Sequence, residues 1–188
     1  FVEQRYVSAM TTASSLLWNK IVDSQLDFIS DSTKNLVRDR ALRNAIKVND
    51  VQAVSESAKN TFQLLSTGNT INQMIITNGS GDVLFSAPTA NLELAGSHLL
   101  KQSMKTDKLA RGLERTSNGQ LSAVVVFPLH VRGQRVGLGV FSRNLDVAVK
   151  EVADNTNSQV SIYGENSKIE YATDKEMFTR IDPDLIYL

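Results

Sequence analysis

The sequence predicts an α+β fold in which a long N-terminal helix leads into an antiparallel sheet with flanking helices. Three observations predict it. The first 47 residues contain no glycine and no proline. The hydrophobic period then changes from that of a helix to that of strands near Ile71. The strands follow one another in turn-linked pairs with helices set apart, the α+β pattern and not that of a doubly wound parallel sheet.

Apolar residues recur at helical spacing from Val2, Tyr6 and Met10 through Leu16, Ile21, Phe28, Leu36, Ala41 and Ile46. A helix of about 45 residues reaches about 65–70 Å at 1.5 Å per residue, too long for one small domain to cover. Ser30-Asp31-Ser32 offers a break, since these residues favour caps. A second helix is expected from an N-cap at Asn49-Asp50, with Val51, Val54, Ala58, Phe62 and Leu65 on its apolar face. Gly68 is expected to end it in the left-handed conformation.

Strands are expected at Ile71–Ile76 and Val83–Ser86, joined by the turn signal Asn78-Gly79-Ser80-Gly81. A short helix is expected near Gly96–Thr106, then a strand at Leu109–Arg115 and the Asn118-Gly119 turn. Leu121–Val131 reads as a strongly apolar strand, turned back at Arg132-Gly133-Gln134 into Arg135–Arg143. A helix near Asp146–Ala153 precedes a second hairpin, Gln159–Tyr163 and Lys168–Ala172, across Gly164-Glu165-Asn166.

Composition excludes several functions. Twenty basic residues balance twenty acidic ones, so the chain offers no overall electrostatic footprint for nucleic acid. The basic clusters Arg38, Arg40 and Arg43, and Arg132 and Arg135, read as solvated faces. Without cysteine there is no zinc finger, redox dithiol or thiol nucleophile. No run of about 18 apolar residues is present to span a membrane. The chain begins Phe1-Val2-Glu3, as expected of a piece of a longer protein whose transmembrane helices flank it.

Catalytic patterns fail in turn. There is no G-x-S-x-G elbow, H-E-x-x-H helix or calcium-binding loop. His98 and His130, the two histidines, read as exposed or satisfied. Asp182-Pro183-Asp184 reads as a solvated loop pair. Gly137-Leu138-Gly139 lies inside a strand with no helix after it, so it permits close packing of a helix or ligand. Trp18 reads as a packing residue between helices. No catalytic residue, metal or cofactor is expected, and the chain is not expected to be an enzyme.

The order of these segments resembles a Cache sensor domain, the extracytoplasmic relative of the PAS fold. The resemblance is carried by Leu36 to Ile46 followed by Asn49-Asp50 and a helix, by the Ile75–Ser86 hairpin, and by Phe127-Pro128-Leu129 leading through Arg132-Gly133 to Val136-Gly137-Leu138-Gly139-Val140-Phe141. It covers roughly Asn19 to Leu145, and Ser158–Tyr163 with Lys168–Asp174 resembles the opening of a second unit. The domains implied are 1–48, a long helix; 49–146, the sensor unit; and 147–188, a connecting helix with a partial second unit.

The resemblance implies a ligand-sensing domain of a bacterial transmembrane receptor, periplasmic or extracellular, in the first place a chemotaxis receptor. A histidine kinase or diguanylate cyclase is the alternative output. It implies a small-molecule ligand on one face of the sheet and a homodimer through the long helix, with contact to the membrane only through flanking helices. Dicarboxylate-binding relatives carry basic residues where this chain has Val124 and Val126. A largely apolar pocket lined by Ser86, Val124, Val126 and Val140 is therefore expected, with His98 and Arg111 near its rim for any charged ligand. A periplasmic protein-interaction module without a small ligand is the reading from another class.

Overall fold

The computed structural model describes residues 2–88, 94–115, 121–156, 161–163 and 169–172. The Asn118-Gly119 and Gly164-Glu165-Asn166 turns and Asp182-Pro183-Asp184 lie outside these. Residues 24–144 form one compact unit, and residues 2–23 with the described residues from 145 onward form another.

The helical start is divided into α1 (Val2–Ser32), α2 (Lys34–Arg38) and α3 (Arg40–Lys47). The first break arises from hydroxyls. Ser30, Ser32 and Thr33 donate to the carbonyls of Leu26, Ile29 and Ser30 at 2.6, 2.6 and 2.7 Å. Side chains that bond back in this way compete with the helical ladder and end or bend it. The second break is Asp39, extended at ψ 100°. Its Oδ1 accepts from the Leu42 amide at 2.9 Å as the N-cap of α3, and its Oδ2 accepts from Ser57 Oγ at 2.5 Å.

Helix α4 (Val51–Thr67) starts on Asp50, whose carboxylate accepts from the Ala53 amide. Its end corrects the expectation for Gly68, which has φ −79°, while the next residue, Asn69, takes the left-handed position at φ 52°. Thr70 N–H then reaches Leu65 O and Asn69 N–H reaches Ser66 O, the paired bonds of a Schellman motif. Asn49 closes α3 in the same manner, at φ 55°.

The sheet of residues 24–144 has five antiparallel strands in the order β2-β1-β5-β4-β3. They are β1 (Gln73–Asn78), β2 (Val83–Ala87), β3 (Ala110–Arg115), β4 (Leu121–Val131) and β5 (Gln134–Asn144), with α5 (His98–Thr106) between β2 and β3. One face carries Met74, Ile76, Phe85, Val125, Phe127, Leu129 and Phe141, all buried, and α3 and α4 pack on this side. The glycines of β5 fit here. A Cβ on Gly137 would lie 2.1 Å from the Thr77 carbonyl oxygen and 2.9 Å from Ile46 of α3, so a helix, not a ligand, uses the space.

In the other unit, α6 (Asp146–Thr156) is followed by the antiparallel pair β6 (Ser161–Tyr163) and β7 (Ile169–Ala172).

Candidate ligand face and the family

The second face of the five-stranded sheet is covered by α5. Register alone builds its centre. Ser86 pairs with Ile75, Ile75 with Val140, Val140 with Val126, and Val126 with Ala110. One row of side chains thus crosses all five strands and is apolar except at its Ser86 end. Leu99 and Leu100 of α5 pack on it, joined by Val124, Leu138 and the partly buried Leu94 and Met104.

The face turns polar along the strands. The next row is Gln73, Ser142, Val124 and Gly112, where Ser142 Oγ donates to Gln73 Oε1 at 2.9 Å. Beyond it lie Asn144, Ser122 and Glu114, with Ser122 Oγ donating to Asn144 Oδ1 at 3.1 Å. Glu114 fixes the start of α5: its carboxylate accepts from Ser97 Oγ and from the Leu99 amide, both at 2.7 Å. Ser97 is itself the N-cap, accepting from the Leu100 amide.

The other end of α5 is held by a charged group. Asp107 follows the helix in the left-handed conformation, φ 52°. Its Oδ2 lies 2.9 Å from His130 Nε2 and its Oδ1 3.5 Å from Arg135 Nη1. Arg135 also donates to the Met104 carbonyl at 2.6 Å. The His130 hydrogen bond foremost, with the positive charge of Arg135 a lesser contribution, holds the Asp107 carboxyl below its ordinary value against the opposing effect of desolvation.

The six residues singled out in the sequence are therefore distributed as follows. Val124, Val126 and Val140 share one buried cluster under α5. Ser86 stands at the β2 end of their row, half-buried, with its hydroxyl donating to the Pro88 carbonyl at 3.3 Å. His98 is the exposed first residue of α5. Arg111 lies on the opposite face, because Ala110 takes the α5 side and adjacent strand residues alternate. There it pairs with Asp27 of α1. Sequence reading missed Glu114, whose partners stand 15 and 17 residues away, and the grouping of Asp107 with His130 and Arg135. No local pattern announces either. Among the described residues no three His, Asp or Glu side chains gather as a metal site.

An antiparallel sheet in this order, preceded by a long N-terminal helix, with α3 and α4 on one face and the short α5 over the other, is the Cache or PAS-like architecture of sensory domains. The chain belongs to the dCache_3 family, described as the double sensory domain of two-component sensor kinases, whose model matches residues 5–179. No curated protein matches it. Among solved structures it is similar to the sensory domain of the Campylobacter jejuni chemoreceptor Tlp3 with isoleucine bound, at 17% identity and TM-score 0.51, covering 92% of this chain and 77% of that one. It is also similar to the sensor domain of the V. cholerae histidine kinase DctB, at 16% identity and TM-score 0.55, covering 87% and 69%. The Tlp3 domain in complex with L-valine matches at 12% identity and TM-score 0.50, covering 90% and 78%. At these identities the likeness is one of fold.

Proposed function

We propose that the chain is the extracytoplasmic ligand-sensing part of a membrane-anchored two-component sensor kinase, and that it takes a small, weakly polar ligand on the α5 face at Ser86, Val124, Val126 and Val140. The observation that carries the reading is the row from Ser86 to Ala110, an apolar floor over four strands with the Ser86 hydroxyl on the fifth, beneath one nine-residue helix. A neutral ligand with an apolar body and polar ends matches that gradient: its body would lie on Val140 and Val126, and its polar end would face Gln73, Ser142 and Glu114. The structures with isoleucine and L-valine bound to Tlp3 support a ligand of this size and polarity.

The family description favours the kinase output over the chemotaxis output that the sequence suggested first. A homodimer through α1 is part of the proposal, supported by Phe28, which is 53% exposed on that helix. Among the described residues no helix is long and apolar enough to cross a membrane, so anchoring would fall to flanking segments. Signalling needs a ligand that binds one arrangement of α5 more tightly than another; equal binding would shift nothing.

A thermal-shift screen of neutral amino acids and other small metabolites, followed by calorimetry, tests the site. Binding should weaken at least tenfold in Val140→Met and Ser86→Leu, which fill the face without adding charge. Hits confined to carboxylates and abolished by Arg111→Ala would overturn the apolar site. No hit at all, with a protein captured through the same face, would leave the interaction module standing.

A further inference from the structure

We infer that the cleft between α3 and the β4–β5 turn is a second binding site, for a small oxyanion carrying two or more negative charges. The cleft has a volume of about 430 Å³ and is lined by Arg40, Arg43, Asn44, Lys47, Val131 and Arg132. That is within the roughly 300–1,000 Å³ of ordinary ligand sites. Four of its six lining residues are cations and none is an acid, in a chain whose charges balance overall.

Arg40 and Arg43 of one basic cluster and Arg132 of the other, expected from the sequence to be solvated, are here brought together. Arg40, Arg43 and Lys47 follow the i, i+3, i+7 spacing of one side of α3. Arg132 comes from 89 residues beyond Arg43. It stands with Gly133 at the centre of a two-residue turn, φ 52° and 78°, the I′ geometry for which Asn-Gly is the ordinary choice. A long cation at that corner is unexpected on turn chemistry alone.

Among the described residues no acid lines the cleft, and the nearby carboxylates are bonded elsewhere. Asp39, the adjacent acid, has one carboxylate oxygen on the Leu42 amide and the other on Ser57. Asp107 is engaged by His130 and Arg135. Among the described residues the side chains of Arg40, Lys47 and Arg132 make no hydrogen bond or ion pair. Arg43 is half-buried and fixed in place: its Nη1 donates to the His130 carbonyl at 2.7 Å and its Nε to the Asp39 carbonyl at 3.3 Å. A guanidinium held by the backbone, with free cations on both sides of a concave surface, is preorganised for an anion whose oxygens accept several charged donors at once. The cleft lies on the α3 side of the sheet, away from α5, so it is independent of the ligand face proposed above.

Calorimetric titration of the whole chain with pyrophosphate and with citrate, at low and near-physiological salt, tests this. One saturable site for either anion is expected, and comparing the two tells phosphoryl from carboxylate recognition. Affinity should fall at least tenfold in Arg40→Gln/Arg132→Gln, whose exposed side chains make no hydrogen bond or ion pair in the fold. It should stay within twofold in Lys59→Gln/Lys101→Gln, which removes the same charge from exposed sites on α4 and α5. Three outcomes would overturn the inference: no saturable binding of either anion, equal loss in both variants, or retention on anionic phospholipid vesicles without binding of the free anions.

Discussion

The ring of Phe127 covers the α-carbon of Gly139, its cross-strand partner, so closely that a methyl group there would stand 2.3 Å from Phe127 Cζ. Phe127 cannot retreat, because it is 2% exposed and meets Phe141 edge-on with ring centroids 5.0 Å apart. Gly139→Ala is therefore expected to cost roughly 1–3 kcal/mol, as overpacking of a dense core does. Adding Phe127→Leu should return part of that loss, a coupling that chemical denaturation of the double-mutant cycle measures. Gly137→Ala should cost more, since its methyl would meet the Thr77 carbonyl, a backbone atom in the β1–β5 ladder that cannot rotate away.

Glu114 makes the opening of α5 a defined structure. Replacing it with Gln leaves the size of the side chain but removes the charge that accepts from Ser97 Oγ and the Leu99 amide. Charged acceptors at a helix start contribute about 1 kcal/mol. The loss should be local: amide exchange at Leu99 and Leu100 should quicken several-fold in Glu114→Gln, while exchange in β4 and β5 changes little. Uniform acceleration across the sheet would show that α5 does not open separately.

Asp107 makes the hold on the far end of α5 depend on pH. Its carboxyl is depressed in the folded chain, chiefly by the His130 hydrogen bond. A depressed acid binds protons more weakly folded than unfolded, so it adds stability above the ordinary carboxylate range and loses it as pH falls through the depressed value. Asp107→Asn removes this dependence without disturbing the backbone, since Asn accepts the left-handed conformation, as Asn49 and Asn69 do here. The variant should unfold at lower temperature than the parent at pH 7. The difference should shrink toward about pH 3, below the usual Asp range. A gap that stays constant with pH would show that the charge of Asp107 is not what matters.

How much of this was legible varies with the physics of each element. The Leu121–Val131 strand is found at the predicted bounds because a mostly apolar, valine-rich run with Pro128 inside it and Arg-Gly after it has no good helical reading. The glycines of β5 announce close packing by their place inside a strand, and Ile46 and Phe127 are what packs there. Helix breaks were harder. Ser30-Asp31-Ser32 could be suspected, but the break at Asp39 depends on Ser57 of another helix taking its second oxygen. Asn69 displaced Gly68 as the left-handed residue because the helix runs to Thr67, one position that composition alone cannot assign. Within the ligand face, Val124, Val126 and Val140 were grouped by alternation along single strands. The side on which Arg111 stands is not legible in the sequence, because β3 has an apolar residue on either side of the strand; only the pairing of Ala110 with Val126 settles the parity.

That parity gives Arg111 a structural task. It joins the edge strand β3 to Asp27 of α1, with the two side chains 40% and 66% exposed. Solvent screens such a pair, and exposed ion pairs typically contribute less than about 1 kcal/mol. Arg111→Ala should lower stability by no more than that, and most of the loss should be shared with Asp27→Ala in a double-mutant cycle. Because the side chain stands on the α1 side of the sheet, the same variant should leave the affinity of an α5-face ligand within twofold. The two measurements separate the possibilities: a small stability loss with unchanged binding fits a tie between sheet and helix, whereas unchanged stability with lost binding would move the ligand to the other face.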